Sequence, residues 1–391
     1  MVIFGAGASY DSSSDFPPPP IPAAQQNFGN SPAQSLSREQ WRPPLANNLF
    51  DNPTQAFSEI VRKYPKLSHI LPLLRQRTSG KSVEEVLEQL QDESRSHLDG
   101  QRELTSVQYY LRDLLFLITN KWLAELDGIT NYSLLIRDIL LYTPRGELVC
   151  LVTFNYDLLL ESALFSHDYK NRQPEDQFES HPVLRLFKPH GSVDWARRVL
   201  LPHGEFLRPQ HIIEAGGEAA GSITVMSEFK RLNPLEADSN PGRETLVPAI
   251  AIPFQRKTEN TFVWPGNHLS LFQQLLPSVT KILIIGWQAK EAHFTKLLTE
   301  HLPKVSHVMV VGSGPAKAAK TLEYFAESVA LVKKARIEIT DTASNACTFM
   351  RDRILDPMPE TGVVELSVAP RGFSEFAVNR RVIDFLKSTA K

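Results

Sequence analysis

Short apolar runs separated by helix-length stretches constrain this chain more than any other feature. Runs at 148–153, 184–187, 247–252, 282–285, 307–311 and 336–339 are each bounded by polar or turn residues. Short apolar runs bounded by turn residues describe strands, and strands spaced by helix-length segments describe a parallel sheet with crossover connections. Val2, Ile3 and Phe4 form a shorter run of the same kind, which places the start of the chain in that sheet. The expected fold is α/β, a Rossmann-like parallel sheet flanked by helices, with ligands sitting where glycines follow the strand ends.

Between the first run and the others the character changes twice. Residues 11–53 are rich in Ser, Pro and Asn, with Pro17, Pro18, Pro19 and Pro20 consecutive, and read as a long loop lying over another part of the molecule. Residues 54–143 are helical in pattern and form a helical insertion or subdomain. Ser82 followed three positions on by Glu85 is a capping box, and Val83, Val86, Leu87 and Leu90 then make one apolar face. Leu104, Val107, Leu111, Leu114, Leu115, Ile118 and Trp122 repeat that spacing, so helices are expected at 83–95 and 104–125. Such stripes are core packing before they are anything else.

Composition removes several classes of function. The 42 Lys and Arg against 44 Asp and Glu leave a net charge of −2, which draws in no polyanion, so nucleic acid is not an expected partner. The chain has 2 cysteines, Cys150 in an apolar run and Cys347 in an expected helix, neither with a second Cys at ligand spacing. A disulfide framework and a zinc ribbon are therefore not expected. No run reaches the roughly 20 apolar residues of a membrane helix, and the first residues lack the basic start of a signal peptide, so a cytoplasmic location is expected.

Polar residues emerge at the ends of these apolar runs. Gly5, Ala6, Gly7, Ala8 and Ser9 follow the first run, either as a tight turn made for packing or as a loop whose amides face a pyrophosphate, with the Ser9 hydroxyl as a further donor. Asn155 and Asp157 follow the strongest run, either as helix caps or as site residues. His190 follows Lys188 and Pro189 at another strand end, on the expected surface of a cleft, where an imidazole is either structural or placed to move a proton. Gly286 and Trp287, and then Gly312 to Gly314, end two later runs and serve either a nucleotide or an ordinary strand-to-helix turn.

In this order the segments resemble the sirtuin family of NAD-consuming enzymes, from Val2 to about Ser313. Gly5, Ala6, Gly7, Ala8 and Ser9 are similar to its phosphate loop, and Asp15-Phe16 to its Pro-Asp-Phe-Arg cofactor loop. Thr153-Phe154-Asn155-Tyr156-Asp157 is similar to its Thr-Gln-Asn-Ile-Asp signature, His190-Gly191 to its His-Gly pair, and Gly286 to the glycine beside the cofactor's ribose. The resemblance implies one catalytic domain over 1–391, with NAD as substrate and no metal. Asn155 would hold the ribose or the attacking water, His190 would accept a proton, and Asp157 would contact the nicotinamide end. Gly286 and Trp287 would line the cofactor, as would Asp15 and Phe16.

Two departures narrow the resemblance. Two cysteines cannot build the four-cysteine zinc module of the deacylating members, and Ser14 and Pro17 stand where the cofactor loop carries Pro and Arg. A chain with a helical insertion, no zinc module and Gly-Trp after the late strand looks most like the bacterial antiphage branch, which hydrolyses NAD. That branch implies control by self-assembly or by a partner such as an ATPase or a short Argonaute protein, with the isolated chain poorly active. The competing readings are a protein ADP-ribosyltransferase or deacylase, a non-catalytic sensor of NAD or ADP-ribose, and an assembly subunit with a vestigial site.

Overall fold

The computed structural model describes the chain except residues 16–38, 52–53, 77–80, 95–96, 171, 180, 201–206, 222, 235–243, 255–261, 303–304, 330–337, 342–345, 351–363 and 389–391. The strands in chain order are β1 (Val2–Phe4), β2 (Val149–Thr153), β3 (Leu184–Phe187), β4 (Gly191–Leu200), β5 (Thr224–Arg231), β6 (Leu246–Ile250), β7 (Lys281–Ile285), β8 (His307–Val311), β9 (Glu338–Asp341), β10 (Ala346–Met350) and β11 (Glu365–Ala369). An eight-stranded sheet runs β10-β9-β11-β8-β7-β1-β2-β3, parallel except for β10 against β9. Its stretch β3-β2-β1-β7-β8-β11 has the strand order of a doubly wound nucleotide fold, in which the connections reverse direction on either side of the first strand. This is the Rossmann-like parallel sheet flanked by helices that the apolar runs imply.

Burial on both faces explains why β1 and β7 read as near-continuous apolar runs. Ile3, Ile282 and Ile284 enter one core with Trp287, Phe294 and Phe325, while Val2, Phe4, Leu283 and Ile285 enter another with Leu135, Ile139 and Phe376. A third core forms where the helix Leu98–Glu125 lays Leu111 and Leu114 against Val193, Val199 and Val247 of a second, antiparallel sheet of order β5-β4-β6.

Between β1 and β2 the chain passes through helices Gln55–Lys63, Leu67–Gln76, Val83–Ser94, Leu98–Glu125 and Asn131–Tyr142. The capping box forms as its spacing predicts, with the Glu85 amide donating to Ser82 Oγ at 3.2 Å and the Ser82 amide to Glu85 Oε2 at 2.6 Å. The segment after the first short helix, Ala6–Tyr10, is tied down at its start. Asp11 accepts from the Phe373 and Ser374 amides at 2.6 and 3.2 Å at the head of helix Gly372–Val378, and burial raises its carboxyl above the usual range against those bonds. Asn131 Nδ2 donates to the Asp11 carbonyl at 2.8 Å, and Trp122 Nε1 to Ser12 Oγ at 2.9 Å.

Two expectations are corrected. The run at 247–252 does not join the parallel sheet: β6 pairs antiparallel with β4, because its partner is the strand that leaves the β3 turn, and Pro248 lacks the amide a central ladder needs. Cys347 lies in β10, not in a helix, since its segment pairs with β9. The run at 336–339 becomes β9 from Glu338, residues 336–337 lying outside those described.

The contact at the middle of the large sheet sets a strict steric demand. Gly286, at the exit of β7, has φ of +66°, and a Cβ there would stand 2.1 Å from the Ala8 amide nitrogen. Left-handed backbone and overlap with main chain act together, so Gly286→Ala is expected to cost on the order of 3 kcal/mol, read as a lowered midpoint in chemical denaturation. A wild-type midpoint would show that helix Ala6–Tyr10 does not need this close approach.

Candidate functional site at the strand ends

The exits of β1 and β7 meet first. Gly5 donates its amide to the Ile285 carbonyl at 3.0 Å, Gly7 donates to Gly286 at 3.1 Å, and the Ala8 amide turns back to Gly5 at 2.8 Å. The glycines therefore serve the packing of the turn, and these amides are committed to carbonyls of the fold. Ser9, buried one turn along, places its hydroxyl 3.1 Å from Tyr132 OH.

The exit of β2 supplies Asn155, which is buried and caps no helix. Its Nδ2 donates to the Gly5 carbonyl at 3.0 Å and to Ser9 Oγ at 2.8 Å, with Tyr132 OH at 3.4 Å. One amide group thus joins the loop after β2 to the loop after β1. Asp157 does act at a helix start, accepting from the Leu159 amide at 3.1 Å ahead of helix Leu159–Phe165. It also takes a hydrogen bond from Ser9. Burial pushes its carboxyl above the usual range, and the Lys188 ammonium and Ser9 pull in the opposite direction.

The exit of β3 brings Lys188 and His190. Lys188 Nζ, fully buried, donates to the Asp157 carbonyl and to Glu161 Oε1, each at 2.7 Å. This ammonium clamps the loop after β3 to the loop after β2. Burial raises the Glu161 carboxyl and Lys188 offsets part of that shift. His190 Nδ1 lies 3.1 Å from the Phe154 carbonyl. A carbonyl only accepts, so Nδ1 carries the proton and Nε2 is the basic nitrogen of the neutral ring.

His190 is 4% exposed rather than lying on the open surface of a cleft, and this corrects the sequence expectation. Its ring stacks on Phe262 at 5.8 Å and on Tyr156 at 5.9 Å, with Phe154 at 4.8 Å. The aromatic residues that enclose it come from the β2 exit and from beyond β6, which no local pattern around His190 reveals. Trp287 is likewise a core residue, stacked on Phe154 at 5.0 Å with its indole N–H given to the Glu291 carboxylate.

Asn155, Asp157, His190, Gly5, Ala6, Gly7, Ala8, Ser9 and Gly286 therefore surround one set of strand ends. Asp15 is exposed at the end of its described segment, and Phe16 lies outside the described residues. Sequence reasoning passed over Tyr132, Lys188 and Glu161 as site residues. Glu161 carried the better signal, a carboxylate inside the run Leu158, Leu159, Leu160, Ala163 and Leu164, where only a buried partner makes it tolerable. Among the described residues no group of three or more His, Cys, Asp or Glu could hold a metal ion.

Lys188→Met strands a buried carboxylate and is expected to cost about 3–5 kcal/mol in denaturation experiments. The double variant Lys188→Met/Glu161→Leu should recover most of that loss. Equal destabilisation of the single and double variants would show that the ammonium acts through the Asp157 carbonyl alone.

Residues 149–224 match the family model of the SIR2-like domain. A search of curated proteins finds no match. A solved Sir2 homolog in complex with NAD is similar at 13% identity, with 85% of this chain and 89% of that chain covered and a TM-score of 0.32. The SIR2-like match begins at β2 and runs through Asn155, Asp157, Lys188 and His190 into the start of β5.

Proposed function

We propose that this chain binds NAD over the exits of β1, β2, β3 and β7 and hydrolyses its nicotinamide–ribose bond. The observation that carries the reading is that one segment matching the SIR2-like domain supplies both Asn155, bonded to the Gly5 carbonyl beside the reversal point of a doubly wound sheet, and a Nδ1-protonated His190, resting on the Phe154 carbonyl. The pyrophosphate would lie at the head of helix Ala6–Tyr10. Since Gly5, Gly7 and Ala8 have given their amides to carbonyls, the reading calls on the Ala6 N–H and the Ser9 hydroxyl.

Nicotinamide leaves as a neutral molecule, so the chemical task is to hold an oxocarbenium-like ribose and deliver water to it. The C1′–N bond breaks with its electron pair going to nicotinamide, water oxygen bonds C1′, and the water proton passes to Nε2 of His190. Asn155 orients the ribose or that water. Its amide is locked by Gly5 and Ser9, so little reorganisation accompanies the step. Gly286 and Trp287 would line the cofactor and Asp157 would contact its nicotinamide end, beside the packing and capping that each provides in the fold.

The biological setting belongs to the same proposal. We take the chain as one catalytic domain with residues 54–143 inserted, working in the cytoplasm in antiphage defence by depleting NAD. An enzyme of that kind must be restrained in the resting cell, by assembly of copies or by a protein partner such as an ATPase or a short Argonaute.

His190→Gln keeps a donor toward the Phe154 carbonyl and removes the proton acceptor. Nicotinamide release from NAD per folded molecule is expected to fall about 100-fold or more, well beyond any loss of folded protein from removing the stacked ring. Wild-type turnover by folded His190→Gln would remove this residue from the reaction, and release of nicotinamide with ADP-ribose attached to protein would replace hydrolysis by transfer.

A further inference from the structure

Tyr156 stands between Asn155 and Asp157, and its ring stacks on the His190 imidazole with centroids 5.9 Å apart and planes 27° apart. Its backbone is fixed, since the Tyr156 carbonyl accepts from the Val193 amide at 3.0 Å. The side chain is 9% exposed, yet the hydroxyl has no hydrogen-bond partner among the described residues. The other tyrosine of the site behaves differently, Tyr132 OH meeting both Ser9 and Asn155. Phenylalanine would fill the same space and stack on the same imidazole. A buried hydroxyl left unpaired is destabilising, so the choice of tyrosine calls for a partner from outside the described residues.

We infer that Tyr156 contacts substrate, its hydroxyl donating a hydrogen bond to an oxygen of the ribose held against His190. Desolvation, reinforced by Glu84 and Glu291, holds the phenol well above its ordinary pKa, which keeps it a neutral donor across the physiological range. A neutral donor suits a sugar oxygen, and its place beside the imidazole suits the ribose that loses nicotinamide. The inference rests on the NAD reading above and adds to it a donor that the sirtuin signature, with isoleucine at the matching place, does not supply.

Tyr156→Phe removes one oxygen and keeps the ring. The experiment measures nicotinamide release and NAD binding by calorimetry for the wild-type and Tyr156→Phe chains, with the melting temperature of each. The expected result is a melting temperature equal to wild type or higher, with kcat/KM for NAD lowered about 10- to 100-fold. Equal kcat and KM in the two chains would overturn the inference and leave the NAD reading standing. A lowered melting temperature or loss of fold in Tyr156→Phe would overturn it too, by revealing a structural partner for the hydroxyl. A wild-type chain that neither binds nor cleaves NAD would take down both.

Discussion

The close approach of two backbones at the centre of the sheet governs this molecule. Gly286 leaves β7 in a left-handed conformation and lies against Gly7 and Ala8, nearer than any side chain would permit. This contact sets the short helix Ala6–Tyr10 directly over the end of the neighbouring strand. Everything else at the site is referred to that position. Asn155 reaches the Gly5 carbonyl and Ser9, Lys188 reaches the loop that carries Asn155, and His190 rests on the Phe154 carbonyl. Four strand ends are thereby joined through main-chain carbonyls, which are more rigid anchors than side chains.

The polar groups in this arrangement are held away from water. Asp157, Glu161 and Lys188 are buried together, and a low local dielectric strengthens each bond they make while making any unpaired member costly. Such a cluster fixes geometry more than it adds stability. The gain on the functional reading is a preorganised donor and acceptor set around an imidazole whose tautomer is already decided.

Much of the large sheet was legible because its strands are buried on both faces. β1, β2, β7 and β8 therefore appear as near-continuous apolar runs, and the glycine at 286 and the asparagine at 155 stand out as polar or small residues just after them. β4 was not legible. Its first six residues are all buried, yet Ser192 and Asp194 are among them, and Asp194 is tolerated only because Arg231 of β5 comes to it from across the second sheet. The sheet that β6 joins is likewise decided by long-range pairing with β4, which a local pattern cannot report. The same limit hid the burial of His190, whose enclosure depends on Phe262, and the clamp between Lys188 and Glu161, which lie on different elements.

The most direct test of the account is the crystal structure of the His190→Gln chain grown with NAD, in which binding is retained and cleavage is slowed. The account predicts the pyrophosphate at the head of helix Ala6–Tyr10 and the nicotinamide-bearing ribose within hydrogen-bonding distance of Asn155. NAD bound away from the exits of β1, β2, β3 and β7, or a saturated crystal with none bound, would contradict it.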